Sequence, residues 1–167
     1  MNKRYPRLIQ TVLLVITAIV VLFTWDFVKA HLRARISREV LENSQRAMEI
    51  MLNEIKYAQG VYLPASVLNS HPGHLSLRTR QNSFSNETAA YIDFYLDQDG
   101  RLCMKKEGEE TKKITSGDVK INSLVFQYLA ANGSKSVRVY LLASYDKDNR
   151  MNFWATTTLV STATLRL

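Results

Sequence analysis

Residues 8–25 read LIQTVLLVITAIVVLFTW, and these eighteen positions hold no charged side chain. As a helix they rise about 27 Å, enough to cross the hydrocarbon core of a bilayer. The run is apolar on every side. A helix buried in a soluble domain normally keeps one polar face, so this stretch predicts a membrane anchor. Leu8, Ile9, Leu13, Leu14, Ile16, Ile19, Val20, Leu22, Phe23 and Trp25 are the residues expected to form the anchor. Trp25 and Phe27 sit at the level of an interfacial aromatic belt. Lys3, Arg4 and Arg7 in the tail 1–7 would also serve as the n-region of a signal peptide. No small-x-small cleavage site follows the apolar run, however; Asp26-Phe27-Val28-Lys29 does, so the segment is expected to be retained.

Charge is placed around this segment. The chain carries a formal net charge of +7. Lys3, Arg4, Arg7, Lys29, Arg33, Arg35 and Arg38, against Asp26 and Glu39, put most of it in the first forty residues. Basic groups flanking a span meet anionic headgroups, whereas the remaining domain is nearly neutral. Membrane lipid is therefore an expected partner and nucleic acid is not. The short basic tail favours a cytoplasmic N-terminus and an extracytoplasmic C-terminal domain at the cell membrane, in a single pass.

The helical period continues past the membrane. Val28, Leu32, Ile36, Val40, Met48, Met51, Leu52, Ile55 and Ala58 form one stripe, and Arg33, Arg35, Glu42, Asn43, Arg46, Glu49 and Asn53 lie opposite. No glycine interrupts before Gly60, which is expected to stop the helix. A helix from Leu8 to Gln59 would be about 78 Å long. An Ω-like stretch with Pro64, Asn69, His71, Pro72 and Gly73 follows. The period then changes to two. Ile92, Phe94 and Leu96 alternate with polar neighbours, and Asp97-Gln98-Asp99-Gly100 turns the chain into 101–105. Glu107 to Lys113 reads as a charged loop. Val119 to Tyr128 reads as a strand with a phase shift at Asn122-Ser123, suggesting a bulge. Asn132-Gly133 turns again; Val137, Val139, Leu141 and Ala143 share a face; Asp146 to Arg150 turns, and Asn152 to Arg166 forms a long last strand. The expectation is an α+β fold, with a long N-terminal helix on an antiparallel meander of four or five strands. The segments are a tail at 1–7, an anchor at 8–25, an amphipathic continuation at 26–59 and a β-rich domain at 60–167. Helix stripe and sheet face each need a cover and are expected to cover each other. Met51, Leu52 and Ile55 should then meet Phe94, Leu124, Phe126 and Val139.

Several of these strings resemble type IV pilin-like proteins, specifically minor pilins and pseudopilins, over essentially the whole chain. They are MEIMLNEIKYA at 48–58 before a proline-containing loop, IDFYLDQDGRL at 92–102, and ITSGDVKI at 114–121 leading into Leu124-Val125-Phe126. The resemblance implies a non-enzymatic structural subunit of a type IV pilus, a type II secretion-like pseudopilus or a DNA-uptake apparatus. It also implies other pilin-like subunits as partners through the N-terminal helix. At the family's cleavage motif the chain departs: Leu8 and Ile9 match, but Tyr5 replaces the glycine, Pro6 the phenylalanine and Gln10 the glutamate. Retention of residues 1–7 is the expected consequence, with the role of an accessory or initiating subunit.

Catalytic signatures are missing: there is no phosphate-binding glycine loop, Gly-x-Ser-x-Gly elbow or His-Glu-x-x-His. His71 and His74 bracket Pro72-Gly73 without an adjacent third ligand, and read as loop residues. Asp97-x-Asp99-Gly100 and the Asp146, Asp148, Asn149 group lack calcium-loop spacing and read as turns. No cofactor, metal or small-molecule substrate is expected, and Cys103 has no assigned role. The alternative class is a membrane-anchored extracytoplasmic binding or sensor domain. That class usually carries a second span or a cytoplasmic output domain, and 1–167 contains neither.

Overall fold

A computed structural model describes residues 5–80, 89–131, 133–145 and 155–166. One helix, α1 (Tyr5–Tyr57), is followed by β1 (Gly60–Val61), a 3-10 turn (Leu63–Ala65), β2 (Leu75–Thr79), β3 (Ala90–Leu96), β4 (Leu102–Lys106), β5 (Lys112–Lys113), β6 (Val119–Ala131), β7 (Ser134–Tyr145) and β8 (Thr156–Thr164). The fold is α+β, a long N-terminal helix packed on antiparallel sheet. With 53 residues, α1 is about 80 Å long. Pro6 stands in its first turn, where a missing N–H costs the helix nothing.

The expected single meander of four or five strands is instead, among the described residues, eight strands in two sheets, ordered β1-β2-β3-β4-β5 and β6-β7-β8. Much of the difference lies at 75–79, just after the stretch expected to be an Ω-like loop, where no strand was expected. There β2 alternates inward Leu75, Leu77 and Thr79 with Ser76 and Arg78, in register with β3 (Leu75 opposite Phe94, Leu77 opposite Ile92). Short β1 and β5 extend this sheet at either side. The two lysines of β5 belong to the segment expected to be a solvated loop, and both remain exposed.

Gly60 does not cap the helix as expected. Helix α1 ends at Tyr57, and Gly60 is the first residue of β1, paired with Arg78. Capture by the sheet ends the helix: Gln59 N–H donates to Arg78 O at 2.8 Å and Tyr62 N–H to Ser76 O at 2.8 Å. Among the described residues, those in left-handed backbone are Asn69 and the glycines 100, 108 and 133. Gly100, at φ 74°, closes the β3–β4 turn, and Gly133, at φ 78°, lies in the β6–β7 turn.

In the second sheet the bulge falls between Ile121 and Ser123, and it resets the phase of β6. Before it, Val119 and Ile121 point inward; after it, Leu124 and Phe126 do. Without that extra residue one half of the strand would face solvent. Val137, Val139, Leu141 and Ala143 of β7 are buried. The expected turn at Asp146 to Arg150, and the first residues of the last strand at 152–154, lie outside the described residues.

From Val40 onward α1 lies on β7 and β8 and also touches β2 and β6. Met51, Ile55, Phe94, Leu124, Phe126 and Val139 are all in one buried cluster, and Leu52 is half-buried against it. Burial of a side chain of this size contributes roughly 1.5–3 kcal/mol. Polar contacts fix the register of helix on sheet. Glu54 pairs with Lys106 of β4 at 2.7 Å. Asn43, expected on the solvent face, is half-buried and accepts Ser116 N–H at 3.1 Å while donating to Glu39 O at 2.9 Å.

The open edge of β6 is covered by the segment 69–73. Asn69 N–H donates to Phe126 O and Gly73 N–H to Leu124 O, while His71 Nδ1 accepts Leu124 N–H at 3.1 Å. A Cβ on Gly73 would stand 2.9 Å from Leu124 O, so only glycine allows this approach. Here His71 and Pro72, joined by a cis peptide bond, serve to blunt a sheet edge.

Candidate membrane anchor and helix interface

Leu13, Leu14, Ile16, Ile19, Val20, Leu22, Phe23 and Trp25 are 52–73% exposed, and so lie outside the chain's own core. Val12, Val15, Val21, Phe27 and Val28 are also more than half exposed. The result is an apolar cylinder of several turns that no part of the described chain touches, far larger than the patches monomers leave in water. It is one helix long and apolar enough to span a membrane, near the N-terminus. Leu8, Ile9, Tyr5 and Pro6 belong to the same helix, in turns where the backbone alone is described; Gln10 is exposed.

The polar groups inside the cylinder are compatible with lipid. Thr17 Oγ1 donates to Leu13 O and Leu14 O at 3.1 and 2.9 Å, and Thr24 Oγ1 to Val20 O and Val21 O at 2.9 Å each. Both hydroxyls are thus satisfied without water, as a hydrocarbon environment requires. At the far end the chemistry changes within one turn. Lys29 Nζ lies 5.3 Å from the centre of the Trp25 ring, a cation–π contact at the place of an aromatic belt. Arg33, Arg35 and Arg38 follow on exposed positions. Between Lys29 and Glu39 the helix bridges apolar cylinder and domain, with Leu32 and Ile36 half-buried.

The Asp97–Gly100 turn is held by its own groups. Asp97 Oδ1 accepts N–H bonds from Asp99 at 3.0 Å and Arg101 at 2.8 Å, and its other oxygen meets Lys113 Nζ at 2.8 Å. Burial pushes the Asp97 carboxyl up, but the Lys113 ammonium and the two backbone N–H groups outweigh it and hold the carboxyl below its ordinary value. The Lys113 ammonium is raised in turn by its bond to Asp97. This carboxylate is a structural staple between the turn and β5. Cys103, on the next strand, is buried, and burial with the nearby Asp97 charge raises its thiol. Among the described residues no group of three histidine, cysteine or acidic side chains could hold a metal ion.

One feature was invisible in the sequence. Ser76, Asp93 and Lys105 form a row across β2, β3 and β4, on the face turned away from the core. Tyr62 and Ala65 stand on one side of this row, Glu107 and Gly108 on the other, and Tyr91 and His74 complete a cleft of about 470 Å³. The available signal was alternation in 90–96, which places Tyr91, Asp93 and Tyr95 on one face. It did not reveal that residues from four other segments converge there.

No protein-family model, no curated protein and no solved structure matches the chain.

Proposed function

We propose that the protein is a pilin-like structural subunit, anchored in the membrane by residues 8–25 and assembling with other anchored subunits through α1. The observation that carries this reading is the continuity of α1. A helix whose first half is bare on all sides runs without a break into a second half that forms its own domain's core. Such a helix transmits the position of the domain rigidly to whatever surrounds the anchor. Lipid covers it in a lone subunit, and the apolar faces of neighbouring helices cover it in an assembly. The texture of 48–58, 92–102 and 114–121 supports the same family. The role is structural and requires no catalytic centre. The domain lies outside the cytoplasm, following the short basic tail.

Crosslinking in native membranes tests it. A photo-reactive side chain at Val20 should capture other short anchored subunits, identified by mass spectrometry. Capture of lipid alone would favour a lone anchored domain. Mass spectrometry of the mature N-terminus separates the accessory role from that of an ordinary filament subunit. Retention of residues 1–7 is expected, because Tyr5 and Pro6 stand where the peptidase needs a glycine and an extended backbone donor. A chain beginning at Pro6 with a modified N-terminus would restore the ordinary role. The second reading, an anchored binding domain, is favoured by the cleft over Ser76, Asp93 and Lys105.

A further inference from the structure

The outer face of β2–β3–β4 carries chemistry that neither the core nor the anchor uses. The rings of Tyr62 and Tyr91 pack at 5.1 Å with an interplanar angle of 58°. His74 packs on Tyr95 at 5.8 Å. Asp93 Oδ1 is 3.6 Å from His74 Nε2, too long for a hydrogen bond, so the part-exposed Asp93 carboxylate keeps acceptor capacity, while the His74 nitrogen is buried. Glu107 accepts Tyr91 N–H at 2.9 Å through Oε2. Lys105 has no ion-pair partner among the described residues. Around one opening there are thus two tyrosine rings with their hydroxyls, two carboxylates and an ammonium, with Ser76 and His74 in the wall beneath them.

We infer that this cleft binds a neutral saccharide. A sugar ring has an apolar C–H face, for which tyrosine rings provide a surface, and an edge of hydroxyls that both donate and accept. Asp93 and Glu107 accept from such hydroxyls, Lys105 donates to them, and the tyrosine hydroxyls do either. Other ligand classes fit less well. Two carboxylates against one ammonium repel phosphate and carboxylate groups. Tyr62 and Tyr91 meet at an angle and form no parallel slot for a flat base; a puckered ring suits an angled pair. The volume of about 470 Å³ falls within the range of small-ligand sites. The cleft is open along the sheet, so it suits a few units of an oligosaccharide. The inference stands on the cleft alone, and failure to find assembly partners would leave it intact.

The test uses the full chain in phosphatidylcholine nanodiscs and saturation-transfer NMR with three probes: chitotetraose, cellotetraose and maltotetraose. At least one should give a saturable signal. Tyr62→Ala and Asp93→Asn should each weaken it about tenfold or more, the scale of one lost anchoring contact. Val160→Ala, on the other sheet, should leave it unchanged. Equal melting temperatures of the variants establish that the fold is retained, and Tyr62 is exposed enough for this to hold. The inference is overturned if none of the three probes saturates, or if binding survives both cleft substitutions. It is also overturned if the tripeptide Gly-Arg-Gly binds at the cleft and the saccharides do not, which would make this a site for a basic peptide.

Discussion

Val12 to Val28 and Val40 to Ile55 lie on the same unbroken helix, and both stretches are rich in large apolar side chains. Only the second is covered by its own chain. Val40, Ala47, Met51 and Ile55 are at most 1% exposed, whereas Ile16, the most covered large side chain from Leu13 to Trp25, is 52% exposed. What decides the covering is the angular distribution of those side chains. In the second half the apolar side chains form one stripe, which a sheet can cover, and Arg46, Glu49 and Asn53 keep the other side wet. In the first half they point in every direction, and no single sheet covers a full cylinder. A fluid apolar medium or a ring of other helices can. Hydrophobicity all round therefore specifies an environment, and hydrophobicity on one side specifies a contact.

The comparison can be broken most forcefully at the second half. Ile55→Asp would leave a charge buried without a partner against the core, and is expected to cost about 4 kcal/mol. Thermal melting of the full chain in detergent reads the loss. An unchanged melting temperature would mean that this face is not core.

The matching change in the first half should move a different observable. Val20→Lys places an ammonium at mid-span and is expected to cost about 3 kcal/mol of membrane insertion. Extraction from membranes by alkaline carbonate should rise, while the domain's melting temperature stays where it was. If melting falls instead, the anchor is part of the folded core.

Acid should also separate the halves. Residues 10–25 contain no titratable side chain, so membrane retention should be independent of pH. In the domain, Asp97 has a carboxyl held below its ordinary value of 3.8. A depressed folded value means that its stabilisation is fully present above the unfolded value, and is lost as pH falls through the folded one. Asp97→Ala is expected to cost about 2 kcal/mol at pH 7, through two backbone N–H bonds and the Lys113 contact. The gap between variant and parent should stay constant down to about pH 5 and close below about pH 3.9. A gap that persists at lower pH would show that the side chain acts through packing and not through its charge.

Smaller effects refine the boundary. Asn43→Ala removes one helix-to-loop hydrogen bond, to Ser116 N–H, and should cost the domain about 1 kcal/mol in a denaturant melt. Thr17→Val removes a hydroxyl that bonds only to its own helix, and should change domain stability by less than about 0.5 kcal/mol. A larger effect at Thr17 than at Asn43 would reverse the assignment of the two halves.

Periodicity reads well where one physical requirement dominates. The helix of 53 residues, the β3–β4 hairpin and the phase shift near Asn122 were all legible, because each follows from which face must be apolar. Strand β2 was not. Its pattern at 75–79 is short, it follows a segment rich in proline, glycine and histidine, and turn chemistry masked it. The helix stop was misread at Gly60 for a related reason. A glycine after a helix usually ends it by adopting left-handed backbone, but here Arg78 and Ser76 accept the N–H groups of Gln59 and Tyr62. An acceptor some nineteen residues away, as Arg78 is from Gln59, leaves no local trace.

The sequence by itself determined the uncharged apolar segment at 8–25, the length of α1, the α+β class and the faces of the longer strands, because each depends on neighbours within a few residues of the same chain. Only the tertiary structure decided how the strands divide into two sheets, that Asn43 and Glu54 pin the helix to the domain, that segment 69–73 shields the β6 edge, and that a cleft opens over Ser76, Asp93 and Lys105. These features rest on hydrogen bonds and contacts between residues far apart in the chain. Such pairings depend on how the whole core closes, and periodicity along one segment does not encode them.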